Sequence, residues 1–223
     1  MAFTAGCGGA AGKAEEGERP QRLAAAPAGS GKVLGQRELE RAAVSQEDLP
    51  TRGFNALLDP ISTDRSPVDP APCQAVADSV GLSSWILPKA RVKQVIGSAK
   101  GDHGASMALA SHTPREAARM IKQVRTAMRS CNAFKPAFGG FTYEGVTALP
   151  DPKLGDESVS FRLLQVLSSE DEKPLKVPVT VVLVRVGATL ATFEAANIKR
   201  DGQAVVPRDV VDEQLTKLAN AAR

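Results

Sequence analysis

The sequence predicts an α+β domain, one largely antiparallel sheet with helices packed against it. The first observation is "TPRE" at 113–116, a capping box with Thr113 at N-cap, Pro114 at the first helical position and Glu116 at N3. The second is a series of segments in the second half, "ESVSFRLLQVL", "VPVTVVLVRV" and "TLATFEAA", rich in β-branched residues and read as strands. The third is a closing helix that opens at Pro207 and sets Val211, Leu215, Leu218 and Ala222 on one face. With 223 residues and 43% hydrophobic content, the chain has material for one core plus a tail.

Taken in order, "RELERAAVSQEDLP" predicts a short helix ended by Pro50, followed by a connection rich in Pro and Asp. Cys73, Val76, Ala77 and Val80 then fall at i, i+3, i+4 and i+7, the apolar face of a helix that Gly81 closes. "ARVKQVIGSAKGDHGASMALASH" reads as two short strands joined by the turn-rich "KGDHG". Val92, Gln94 and Ile96 share one face of the first strand, as Met107 and Leu109 do on the second. The helix launched by the capping box carries a core stripe of Ala117, Ile121, Val124 and Met128 that continues to Cys131. "TYEGVTALP" is a further strand, and Gly187-Ala188 suits a type II′ turn between the last two.

The chain opens "MAFTAGCGGA", in which small residues precede Cys7 as they precede the lipid-bearing Cys of a bacterial lipoprotein. A basic n-region and a full apolar stretch are missing from residues 1–6, so these would be the remnant of a signal. From Gly8 the composition is Gly, Ala, Pro, Ser and charge, which predicts a flexible tether over 8–36 and a folded domain over 37–223. An incidental Cys on a short N-terminal tail is the alternative. A cytosolic chain of that kind would keep Cys73 and Cys131 as free thiols. No stretch of the sequence approaches the roughly 18 apolar residues of a membrane span, so membrane attachment would rest on the lipid. The 28 basic and 25 acidic residues, with one Trp and one Tyr, argue against a nucleic-acid partner.

Cys73 and Cys131 lie on apolar helix faces. If the two helices pack together, a disulfide between them becomes possible; two buried thiols are the other reading. No CxxC pair exists, so structural zinc is not expected.

Sites for chemistry are few. "AGSGKV" imitates the end of a phosphate loop, but Ala26 stands at the first glycine position and Val33 at the Ser/Thr position. "HGASMA" imitates a nucleophile elbow around Ser106, with Ala108 in place of the last Gly, and His103 or His112 as the available bases. This defines the alternative function, an envelope serine hydrolase. Asp102, His103 and His112 are too irregularly spaced for a metal, and no cofactor is implied. Asp156 and Glu157, read as neighbours on a strand, would point to opposite faces and not act as an acid–base pair.

Arg185 interrupts the apolar run "VTVVLVRVG" and needs a partner if buried. In the hairpin register Leu190 lies opposite and Thr192 diagonally, so the partner is a carboxylate such as Asp156 or Glu157, or the acidic group of a ligand.

The order of "EDLP", a Cys opening a short helix, a long helix ending in Cys with Phe134 three residues on, "LGDES" and a strand ending "VRVG" resembles the PknH-like extracellular sensor domain over roughly 37–223. That domain also occurs in actinobacterial lipoproteins. The resemblance implies a twisted antiparallel sheet flanked by helices around a large cleft, and one helix-linking bridge, Cys73 to Cys131. It brings no catalytic residues. The expectation is a non-enzymatic lipoprotein on the extracytoplasmic face of the cell membrane, anchored at Cys7, binding a small ligand or an envelope protein, with Arg185 as the candidate ligand contact.

Overall fold

The structure, a computed structural model, describes residue 1 and residues 31–56, 66–97, 104–138, 140–167, 173–199 and 202–222. Cys7, Asp102 and His103 lie outside the described residues, as do residues 2–7 of the expected signal remnant and 8–30 of the expected tether.

The chain enters through helix α1 (Gln36–Ala42) and strand β1 (Phe54–Ala56), then a two-residue strand β2 (Val68–Asp69) and a 3-10 turn (Ala71–Cys73) that runs into α2 (Gln74–Val80). β3 (Ala90–Ile96) and β4 (Ala105–Ser111) precede the long helix α3 (Pro114–Ala127). The short β5 (Lys135–Pro136), β6 (Thr142–Ala148), β7 (Glu157–Leu167), β8 (Leu175–Val186) and β9 (Thr189–Ala196) follow, and α4 (Arg208–Ala221) closes the fold. Seven strands form one sheet in the order β1-β3-β4-β9-β8-β7-β6, with every neighbouring pair antiparallel, and β2 pairs with β5 in a small ribbon. The predicted α+β class is therefore the observed one.

Helices cover both faces. In antiparallel strands directly opposed residues share a face, so the register sorts the sheet into two sides. One side carries Val159, Phe161, Leu163, Val179, Val181 and Leu183 against α2 and α3, through Val76, Val80, Met120, Ile121 and Val124. The other carries Ile96, Met107, Leu109, Val184 and Phe193 against α1 and α4, through Leu39, Val210, Leu215 and Leu218. The strands in the middle are apolar on both sides because both sides are covered.

Local signals explain most boundaries. Thr113 Oγ1 accepts from the Glu116 amide at 3.3 Å, and the Glu116 carboxylate accepts from the Thr113 amide at 2.9 Å, closing the predicted capping box. Gly187 has φ +58 while Ala188 stays outside the left-handed region, as a type II′ turn requires. α1 is shorter than predicted and ends at Ala42 rather than near Pro50. Tertiary bonds take over there. The Val44 amide donates to Gln214 Oε1 at 2.9 Å, and its carbonyl accepts from Gln94 Nε2 at 3.0 Å, which holds the backbone extended.

Packing begins upstream of residue 37. Leu34, expected in the tether, is buried in the α1/α4 core, and Gly31 is pressed so closely on the β8–β9 turn that a Cβ there would meet Gly187 Cα at 2.4 Å. Cys73 and Cys131 are joined: their Cα atoms are 5.0 Å apart and 58 residues separate them in sequence. The bridge ties the start of α2 to the end of α3 within one helical layer.

Candidate functional site

Arg185 sits near the end of β8, 2% exposed, directly opposite Glu157 of β7. Its Nε donates to Glu157 Oε2 at 2.8 Å, and its Nη1 donates to Asp156 Oδ2 at 2.9 Å and to the Gly187 carbonyl at 3.0 Å. Asp156 is fixed in turn, since its Oδ2 also accepts from the Gly187 amide and its own amide donates to the Arg185 carbonyl. Gly155, at φ +56, lets the chain pass this close: a Cβ would stand 2.4 Å from the Arg185 carbonyl oxygen.

The carboxylates named from sequence are thus the partners of Arg185. The expectation that Asp156 and Glu157 face opposite ways is corrected, because Asp156 precedes the strand and its side chain reaches the same guanidinium as Glu157. Arg125 of α3 joins them, with Nη2 donating to the Ser158 carbonyl at 2.8 Å and Nη1 lying 3.5 Å from Glu157. The cluster borders a cavity of about 570 Å³ shared with Thr113, Pro114, Arg115 and Ala118.

His112 is fully buried and its Nε2 lies 3.1 Å from Ser84 Oγ. Ser84 Oγ donates to the Ile86 carbonyl at 2.8 Å, so the imidazole is the donor to Ser84, and Nδ1 is left without a partner. Burial pushes the His112 pKa down to about 4, against a weaker opposing pull from Glu116. Ser106 is elsewhere, at the start of β4 and opposite Val95 and Glu194. Six residues of strand put it roughly 20 Å from His112. The pairing of Ser106 with His112, one of the two open to the hydrolase alternative, is therefore not formed, and His103 lies outside the described residues.

What sequence reading missed is Glu194. The register Val95, Ser106, Glu194, Val181, Phe161 runs across five strands on the α2/α3 side of the sheet. α3 packs over β7, β8 and β9, so Phe161 and Val181 are buried, while Val95, Ser106 and Glu194 are only partly covered. This is a floor that passes from closed to half-open along one row. Lys93 on β3 lies on the same side, its Nζ 3.5 Å from the Gly81 carbonyl. So does Tyr143 of β6, whose ring stacks on Phe134 at 4.7 Å. Glu194 Oε2 is enclosed without a hydrogen-bond partner, and burial raises its pKa to about 8 against the opposing charge of Lys93.

The geometry defines a three-layer α+β sandwich, helices over both faces of a seven-stranded antiparallel sheet, with one face left partly uncovered. A solved structure shares this fold: the extracellular domain of PknH from Mycobacterium tuberculosis, with a TM-score of 0.50 and 12% identity over 85% of this chain and 97% of that one. No protein-family model matches the chain, and no curated protein matches it in sequence.

Proposed function

We propose that this chain is a binding module of the cell envelope, held to the membrane by a lipid on Cys7 and presenting its domain on the extracytoplasmic side to a small ligand or protein partner, without turnover. The observation that carries the reading is the Cys73–Cys131 bridge. Disulfides persist in oxidising compartments, and here the bridge lies in a fold shared with an extracellular domain.

Two features support binding as the activity. The half-open floor between β3 and β9 offers polar and apolar groups side by side, the usual make-up of a small-molecule site. The Arg185 cluster gives the second: Nε and Nη1 are held by Asp156, Glu157 and Gly187, and the guanidinium borders a cavity an acidic ligand group would fit. In this reading Arg185 is first a structural ion pair and second a ligand contact.

The test is the intact mass of the protein from its native cells, before and after reduction and alkylation. A chain beginning at Cys7 with diacylglycerol attached, and no alkylation of Cys73 or Cys131 until reductant is added, supports the reading. An unlipidated chain with thiols that alkylate at once on denaturation sinks it.

A further inference from the structure

Glu194 is the one buried acid whose enclosed oxygen the fold leaves without a partner among the described residues. A buried carboxyl oxygen is ordinarily hydrogen-bonded, because stripping it of water without replacement costs free energy. Packing does not account for Glu194 here. Its cross-strand neighbours, Ser106 of β4 and Val181 of β8, carry no charge.

The charged and titratable groups around it do not supply that missing hydrogen bond. Lys93 of β3, of opposite charge, and Tyr143 of β6 act on it electrostatically, and Oε2 is still left without a hydrogen bond. α3 turns Ala117, Met120, Ile121 and Val124 inward, and the single acid of α2, Asp78, accepts from Gln74 Nε2 at 2.9 Å. In the stretch 81–89 the only charged residue is Lys89, which acts on Glu116.

We propose that the half-open face formed by β3, β4 and β9 binds a ligand through a protonated primary amine, whose ammonium group docks on Glu194. An anionic group could form no ion pair with Glu194 in either protonation state. A metal ion would need further ligands, and among the described residues no group of three His, Cys, Asp or Glu side chains is placed to supply them. An ammonium brings three donors and a full charge. One donor goes to Glu194, and the Ser106 hydroxyl directly across the strand is within reach of a second. Val95, the partly exposed apolar residue of this floor, suits the carbon chain that carries the amine.

The chemistry leaves a signature. At neutral pH the enclosed carboxyl holds its proton, so docking converts a carboxylic acid and an ammonium into an ion pair and releases one proton to solvent. The inference rests on the reading of this domain as a binding module, but not on its anchor or compartment.

The probe is hexylamine, titrated calorimetrically into the full chain at pH 7 in two buffers of different ionisation enthalpy, with 1-hexanol and hexanoate alongside. The expected result is amine binding at least about tenfold tighter than hexanol, no hexanoate binding, and close to one proton released per amine, with affinity rising up to roughly tenfold per pH unit until about pH 8. Glu194→Gln, which keeps the shape of the neutral acid, should bring hexylamine down to the affinity of hexanol. Equal affinity for amine and alcohol, or binding without proton release, overturns the proposal. Retention of the preference in Glu194→Gln does the same. If that variant does not fold, the proton count on the unaltered chain decides. Failure here with the Cys7 lipid and the bridge in place removes the ligand class and leaves the envelope reading standing.

Discussion

Arg185 on β8 and Glu157 on β7 are cross-strand partners, and the guanidinium Nε lies 2.8 Å from the carboxylate Oε2. The pair does not close alone. Asp156, whose side chain is 5% exposed, accepts from Nη1, so two acids and one base converge where three segments meet.

Removing the base strands the acids. Arg185→Ala should destabilise the domain by about 3–5 kcal/mol, the range for leaving a buried charge uncompensated. Urea unfolding at pH 7 measures it. A loss under about 1 kcal/mol, the scale of an exposed pair, would show that the cluster is solvated and place Arg185's value in ligand contact instead.

Opening the disulfide should have a comparable effect by a different route. The cross-link closes a loop of 58 residues, worth about 4 kcal/mol in the chain-entropy account. Thermal melts of Cys73→Ala/Cys131→Ala against the oxidised protein should show a large fall in Tm. Added reductant should lower the Tm of the unaltered chain and leave that of the double variant unchanged.

The two buried titratable groups pull stability in opposite directions with pH. His112 has its folded pKa lowered to about 4, so the unfolded chain takes up its proton first as pH falls below about 6.5. Stability from His112 is therefore present above pH 6.5 and lost towards pH 4, by about 3 kcal/mol in full. His112→Gln should flatten that acid limb.

Glu194 has the reverse sign. Its folded pKa is raised to about 8, so its contribution is complete below the ordinary glutamate value near 4.5 and is lost as pH rises through 8. Glu194→Gln should flatten the alkaline limb while leaving the acid one in place. Denaturation midpoints between pH 4 and 9 for the two single variants distinguish them; parallel curves would contradict both assignments.

A smaller effect tests the local signal at α3. Thr113→Ala removes the side-chain acceptor for the Glu116 amide and should cost about 1 kcal/mol. Thr113→Ser should recover most of it. Equal loss in the two variants would mean that the hydroxyl does not cap the helix.

The legible parts of this molecule were those written in neighbouring residues. "TPRE" announces its helix, alternation announces β7 and β8, and the hairpin register at Gly187 correctly rules out an acid opposite Arg185 within its own hairpin. Glu194 was not legible. In "TLATFEAA" it looks like an ordinary outward-facing polar residue, and its burial arises only because β9 is placed between β4 and β8, a pairing that no local pattern encodes. Gln214 hid for the same reason: on α4 it breaks the apolar face, and its bonds to Ala42 and Val44 come from the other end of the chain. Arg52, 2% exposed, likewise finds Asp209 157 positions away.

The crowding of Gly31 against Gly187 also brings both ends of the described domain together. Gly187 faces Ala222 as well, so the point where the described chain enters the domain and the point where it finishes α4 meet at the same hairpin tip. Glu194 lies seven residues further along β9, roughly 23 Å from that tip. Whatever is joined at residue 31 or beyond α4 is therefore attached at the Arg185 end of the sheet, with the Glu194 floor towards the opposite end.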